Sequence, residues 1–189
     1  MGSFLYNLVT LPSVPIFFAY LAVVCTWSKW RRFVPAMNLT SLMRFHNLFC
    51  SLLSAVICVG FAYAIGSNSG GVFGREQSTV LQRCFHAYWL SKVAELADTV
   101  FMMLRGRGRQ LSILHIYHHS AMLLLADYAR RLSPWAPMAL LLGMNSFIHI
   151  CVYAYYFAAT LKPVDVCVNL ISSFARMSPY ISPHRRLPE

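Results

Sequence analysis

The chain has 189 residues, of which 58% are hydrophobic and 12% are charged. Soluble domains usually carry about 25% charged residues, so the composition excludes an ordinary soluble domain and indicates a surface that faces lipid. The formal net charge of +10 indicates basic cytosolic loops, which also suit anionic ligands or lipid headgroups. At about 20 residues per span, the length allows one domain of about five spans. We therefore expect an all-α, multi-pass transmembrane helix bundle.

Five apolar runs follow one another along the chain. They cover approximately residues 11–28, 45–66, 80–104, 111–129 and 134–161. A loop rich in glycine and serine, residues 67–78, separates the second run from the third. The clearest basic clusters follow the first run, at Lys29, Arg31 and Arg32, and the third run, at Arg105, Arg107 and Arg109. The positive-inside rule then places these two loops in the cytosol and the N-terminus outside it.

The third run carries charged residues at helical spacing. Lys92, Glu95 and Thr99 (i, i+3, i+7) share one helix face, and Asp98 lies at the edge of that face. An ionisable group at the bilayer centre costs about 2.5–3.5 kcal/mol on insertion scales, so these groups must face one another or a wet cavity. They are either a neutralised pair that locks helix packing or the lining of a substrate site, and the two interpretations are compatible.

The fourth run contains three histidines, His115, His118 and His119, which we call the histidine box. Their spacing (i, i+3, i+4) projects all three imidazoles from one side of a helix. Two chemistries suit this arrangement. One is metal ligation by neutral imidazoles. The other is catalysis in which one imidazole acts as a nucleophile and another moves protons.

The fifth run places Asn145, His149 and Tyr156 on one helix face, with Tyr153 nearby. Tyrosines near the end of a span often form an interfacial belt instead of a site. Asn145 and His149 need polar partners inside the bilayer. We expect the histidine box to supply them.

Together, these motifs resemble the ELO family of very-long-chain fatty acid elongases. The pattern reads Lys92-x-x-Glu95-Leu96-x-Asp98-Thr99, His115-x-x-His118-His119 and Asn145-x-x-x-His149-x-x-x-Tyr153-x-Tyr155-Tyr156. The segment Arg44-Phe45-His46-Asn47 also looks like the Asn-containing start of the family's second helix. The resemblance covers roughly residues 30–160.

The resemblance implies a very-long-chain 3-oxoacyl-CoA synthase of the endoplasmic reticulum membrane, with about seven transmembrane helices around an acyl tunnel. His118 would be the nucleophile that carries the acyl group. His115, His119 and His149 would orient it, relay protons and stabilise the enolate. The cavity would be lined by Lys92, Glu95, Asp98, Thr99, Asn145, Tyr153 and Tyr156. Arg105, Arg107 and Arg109 would hold the phosphates of coenzyme A, unless they only anchor the topology.

The resemblance also implies the partners. The substrates would be acyl-CoA and malonyl-CoA, and neither a cofactor nor a metal is expected. Membrane lipids would surround the chain, which could assemble with itself, with other elongases, or with the reductases and dehydratase of the elongation cycle. No nucleic-acid partner is expected.

The chain departs from the family pattern after Pro163, where elongases continue with a T-x-x-Q-x-x-Q helix that has no counterpart here. We therefore expect residues 1–163 to form a truncated bundle and residues 164–189 a poorly ordered tail. One alternative is an inactive truncated paralogue or splice form that modulates full-length elongases. Another is a metal oxygenase of the desaturase or hydroxylase class, which needs about eight histidine ligands, whereas the chain has seven histidines.

Overall fold

The computed structural model describes residues 10–74, 76, 78–106 and 111–161. Within these ranges the chain forms five long helices and one short 3₁₀ turn, with no strand. The helices are α1 (Ser13–Trp30), α2 (Thr40–Gly66), α3 (Thr79–Leu104), α4 (Ile113–Leu132) and α5 (Ala136–Thr160), and the 3₁₀ turn is Gly71–Phe73. Each predicted apolar run overlaps one helix, so the all-α prediction is confirmed.

Three of the five helices are long and apolar enough to cross a membrane. These are α1, α2 and α5, with 18, 27 and 25 residues. The other two, α3 and α4, have 26 and 20 residues. They are also long enough for a bilayer at about 1.5 Å per residue, but they carry the polar motifs. The chain is a multi-pass membrane protein whose two most polar helices pack among apolar ones.

Serine hydroxyl groups cap the two polar helices. Ser78 Oγ accepts a hydrogen bond from the Leu81 amide at 3.1 Å, and Ser112 Oγ accepts one from the His115 amide at 3.0 Å. Such caps satisfy amides that have no partner inside the helix. At the other end of α3, Gly106 adopts a φ of 69°, a left-handed conformation common just after a helix. The Ser112 cap places the histidine box in the first two turns of α4.

The helices pack with α3 at the centre. α5 packs along α2, α3 lies against α2 and α4, and α1 lies against α4. The main apolar core is built from α2, α3, α4 and α5 and includes Ile57, Phe61, Phe85, Tyr88, Ala126 and Leu142. At Gly60, an added Cβ would lie 2.7 Å from Cys84 Sγ. The missing side chain therefore permits α2 and α3 to approach closely.

Two contacts define one end of the bundle, which we call the basic end. The Met37 amide donates to the Leu104 carbonyl at 2.9 Å, which joins the α1–α2 loop to the end of α3. Arg44 donates through its guanidinium to the Thr160 carbonyl, which joins the start of α2 to the end of α5. The two predicted cytosolic clusters begin here, at Lys29 and Arg105, so their common placement agrees with the positive-inside prediction.

The opposite end of α1 is fastened by polar contacts. The Ser13 amide donates to Asp127 Oδ2 at 3.0 Å, and Trp89 Nε1 donates to Ser13 Oγ at 2.7 Å. Asp127 is fully buried and also accepts a hydrogen bond from Arg130 at 2.6 Å. These contacts hold the start of α1 against both α3 and α4.

Candidate functional site

The charged face of α3 is buried in the bundle. Lys92 Nζ lies 2.7 and 3.0 Å from the two carboxylate oxygens of Glu95, and the two residues are only 3% and 2% exposed. The ammonium also lies 4.8 Å from the ring centre of Tyr88. Thr99 is completely buried and Asp98 is half-buried. The predicted face is therefore present, with Asp98 at its edge.

Asp98 joins three helices. Tyr153 of α5 donates its hydroxyl to Asp98 Oδ2 at 2.5 Å. His46 of α2 places Nε2 3.0 Å from Asp98 Oδ1. The hydrogen bond from Tyr153 and the close approach of the His46 imidazole orient this carboxylate. Asp98 and Tyr153 were predicted site residues, whereas His46 is an addition.

Asn145 finds its hydrogen-bond partner on α3, so our prediction that the histidine box would supply it was wrong for this residue. Asn145 Oδ1 accepts a hydrogen bond from the Tyr88 hydroxyl at 2.8 Å. His149 Nδ1 lies 3.4 Å from Glu95 Oε1, outside hydrogen-bond geometry, and is buried without a hydrogen-bond partner among the described residues. The reason is packing: α5 lies along α2 and faces the polar side of α3.

The histidine box lies against the same side of α3. His115 Nε2 is 3.0 Å from Thr99 Oγ1. The His115 and His119 rings are 4.3 Å apart between centres, and the His118 and His119 rings are 5.8 Å apart. His115 and His119 are partly buried, but His118 is exposed. The three imidazoles form a contiguous group in which His118 is the most accessible.

The other predicted residues lie around this group. Tyr156 is 41% exposed, with its ring 6.3 Å from that of Tyr153. Arg105 lies at the basic end, where Nη1 is 3.3 Å from Met43 Sδ. Arg107, Arg109 and the predicted tail at 164–189 lie outside the described residues, as does the predicted domain boundary at Pro163.

Within the described ranges, no group of three or more His, Cys, Asp or Glu side chains is arranged to hold a metal ion. The grouped histidines instead contact hydroxyl and carboxylate oxygens: His115 with Thr99, His46 with Asp98. These contacts fix the orientation of the two rings, whereas His118 is exposed. The arrangement suits nucleophilic and acid–base chemistry.

Comparison with known sequences gives the family. The chain matches the GNS1/SUR4 family, ELO, over residues 7–177. It belongs to this family.

Several relatives carry the name of elongase. Fatty acid elongase 6 of Leishmania major is 28% identical over 163 residues, which is 82% of this chain and 42% of that protein. Very long chain fatty acid elongase 2 of Rattus norvegicus is 29% identical over 154 residues, 77% of this chain and 54% of the relative. Very long chain fatty acid elongase 5 of Xenopus tropicalis is 27% identical over 152 residues, which is 77% of this chain and 52% of the relative. The chain spans about half the length of the curated relatives it matches.

Three polar residues that contact the site in this ELO chain were not predicted from the sequence as site residues. His46 is an ionisable group at the start of an apolar run. The free-energy cost of an ionisable group in the bilayer indicated the charged residues of α3, and it would have indicated His46 as well. Tyr88 lies four residues before Lys92, on the same helix face. Tyr20 of α1, whose hydroxyl lies 3.0 Å from Thr99 Oγ1, gave no sequence signal because it is surrounded by apolar residues.

Proposed function

We propose that this chain condenses a long-chain acyl-CoA with malonyl-CoA to give 3-oxoacyl-CoA, CO₂ and CoA. The observation that carries the proposal is the histidine box. His115 is held by Thr99 of the charged helix face, while His118 is exposed beside the other two imidazoles. Membership of the ELO family and the elongase names of the relatives support the same reaction.

In the first half-reaction, an imidazole nitrogen of His118 attacks the thioester carbonyl of acyl-CoA. The carbon–sulfur bond breaks, coenzyme A leaves as the thiol after taking a proton, and an acyl-imidazole remains. Imidazole suits this role because it is both a good nucleophile and a good leaving group near neutral pH. The exposure of His118 supports this assignment, and its contact with the His119 ring offers a group for proton transfer.

In the second half-reaction, malonyl-CoA loses CO₂ and its enolate carbon attacks the acyl carbonyl, which breaks the bond to His118. Donors aimed at the enolate oxygen stabilise it most strongly where water is excluded. His149 is a candidate, since its Nδ1 is buried and has no hydrogen-bond partner in the described part of the chain. Two further donors lie on the neighbouring carboxylates, Lys92 on Glu95 and Tyr153 on Asp98.

The remaining roles follow from position. The site would be lined by Lys92, Glu95, Asp98, Thr99, Asn145, Tyr153 and Tyr156, with His115, His119 and His149 around His118. Arg105 lies at the basic end, where a guanidinium can bind the phosphates of coenzyme A, and we extend that role to Arg107 and Arg109. The reaction needs no cofactor. The endoplasmic reticulum membrane and assembly with other enzymes of the elongation cycle belong to this proposal as well.

The proposal is tested in microsomes that express this chain in a host without other elongases of overlapping specificity. Labelled malonyl-CoA and a panel of acyl-CoAs are supplied, and the 3-oxo products are measured. We expect product from the unsubstituted chain and from His86→Ala, which removes an exposed histidine of α3 outside the site. We expect none from His118→Ala. No product from the unsubstituted chain would contradict the proposed activity.

A further inference from the structure

A buried chain of hydrogen bonds reaches the histidine box from α1. Thr99 Oγ1 lies 3.0 Å from the hydroxyl oxygen of Tyr20 and 3.0 Å from Nε2 of His115. Thr99 is 0% exposed and Tyr20 is 7% exposed. One threonine hydroxyl therefore joins three helices at a point that water does not reach.

The chemistry of the hydroxyl groups gives this chain a direction. A phenol donates a hydrogen bond more readily than an aliphatic alcohol does, because it is the stronger acid. When Tyr20 donates to Thr99 Oγ1, the single Thr99 proton is left to point at His115 Nε2. A threonine without such a partner commonly turns its hydroxyl back to the carbonyl one helical turn earlier. The Tyr20 hydroxyl therefore determines whether the Thr99 hydroxyl donates to His115 or to a carbonyl of its own helix.

The position of Tyr20 is fixed independently of the histidines. Ser13 fastens the start of α1 through Asp127 and Trp89, at 3.0 and 2.7 Å. Tyr20 follows seven residues later, about 10 Å along the helix. Its ring also packs in a cluster with Leu96 of α3 and Leu123 of α4. These contacts hold the phenol of Tyr20 level with Thr99 along the helix axis.

We propose that Tyr20 is a positioning residue that acts through Thr99 on His115. It keeps Nε2 of His115 as a hydrogen-bond acceptor, which places the imidazole proton on Nδ1 and fixes the ring for proton transfer within the histidine box. The effect of Tyr20 on the reaction rate rests on the proposed condensation activity. Its effect on the orientation and protonation of the His115 ring does not depend on that activity.

The kinetic test compares Tyr20→Phe with Tyr63→Phe, a matched loss of a hydroxyl group from an exposed tyrosine of α2. Loss of one hydrogen bond should lower kcat about 3- to 10-fold in Tyr20→Phe, with the KM for acyl-CoA unchanged and Tyr63→Phe unaffected. Thr99→Val should lower kcat at least as much as Tyr20→Phe does, because it removes the hydroxyl group through which Tyr20 acts. In the Thr99→Val background, Tyr20→Phe should cause no further loss. Losses that multiply would overturn the route through Thr99.

A second measurement decides the proposal without any assay of activity. Diethyl pyrocarbonate modifies unprotonated imidazole nitrogens, and peptide mass spectrometry gives the rate at each histidine. In the purified chain, Tyr20→Phe and Thr99→Val should both speed the modification of His115 severalfold relative to the exposed His86, because Nε2 is released. An unchanged His115 rate in both variants would overturn the proposal. If the unsubstituted chain makes no condensation product, the proposed function fails, and this labelling result still decides the role of Tyr20.

Discussion

At the scale of single residues, the site is made of polar side chains that satisfy one another across helices. Asp98 lies between His46 of α2 and Tyr153 of α5, and Glu95 lies between Lys92 and His149. The sequence indicated which polar residues share a helix face, because helical spacing determines that. It did not indicate their partners on other helices, because partner choice depends on packing: Asn145 contacts Tyr88 instead of the histidine box.

The Lys92–Glu95 pair gives a prediction that separates a packing role from a role in the site. Lys92→Met alone should lower the free energy of unfolding by about 3–5 kcal/mol, since it leaves the Glu95 carboxylate buried without its ionic partner. Lys92→Met together with Glu95→Gln should recover most of this loss. The measurement is thermal unfolding in detergent micelles, followed by the condensation rate of each variant.

A stable double variant without activity would place the pair in the site as well as in the core. A double variant as unstable as Lys92→Met alone would contradict the ion-pair argument.

The hydrogen bond between Tyr153 and Asp98 gives a second prediction at this scale. Tyr153→Phe should lower the condensation rate about tenfold, because Asp98 loses the hydrogen bond that helps to orient it. Tyr155→Phe removes a hydroxyl group from the same turn of α5 and serves as the control. Equal losses in the two variants would show that the contact between Tyr153 and Asp98 has no special role.

At the scale of elements, hydropathy predicted where helices exist better than where they end. The fourth run was predicted to stop before Arg130, yet α4 continues to Leu132. Arg130 remains in the helix because Asp127 accepts its hydrogen bond one turn earlier and its guanidinium lies 4.9 Å from the ring centre of Trp89. Similarly, α2 begins at Thr40, five residues before the predicted run, and Arg44 in its early turns bonds to the Thr160 carbonyl.

The close approach of α2 and α3 is testable at Gly60. Gly60→Ala should destabilise the bundle by about 1–3 kcal/mol, because the new methyl group meets Cys84 Sγ and forces a shift. Cys84→Ala removes that sulfur, so the double variant should regain most of the stability. Thermal unfolding in micelles gives all three values. If Cys84→Ala gave no recovery, the contact would not be the cause.

At the scale of the whole molecule, the basic end contains the start of α4 and therefore lies on the side of the histidine box. The positive-inside rule makes this side cytosolic, where acyl-CoA and malonyl-CoA would reach His118. The loop of α1 and α2 also carries a glycosylation sequence, Asn38-Leu39-Thr40. A cytosolic loop would leave it unmodified.

The topology is measured with one glycosylation-acceptor insertion placed in two loops. After Ser69, between α2 and α3, the inserted acceptor should be glycosylated in microsomes, because this loop lies at the end opposite the basic end. After Arg32, the same insertion should stay unmodified. The reverse pattern would invert the topology and place the histidine box on the lumenal side.

The alternative role of a modulator of full-length elongases is also a property of the whole molecule. It predicts that the chain co-purifies with an intact elongase and forms no 3-oxo product by itself. The proposed enzyme predicts that product forms without such a partner. The microsome assay in the presence and absence of a co-expressed intact elongase distinguishes the two.

If His118 carries the acyl group, the acyl-imidazole can be trapped before condensation. The purified chain is incubated with acyl-CoA but without malonyl-CoA, quenched, digested and analysed by peptide mass spectrometry. We predict an acyl group on the peptide that contains His118, and its absence after His118→Ala. Acylation at a different residue, or condensation that proceeds normally in His118→Ala, would contradict the assignment of His118 as the nucleophile.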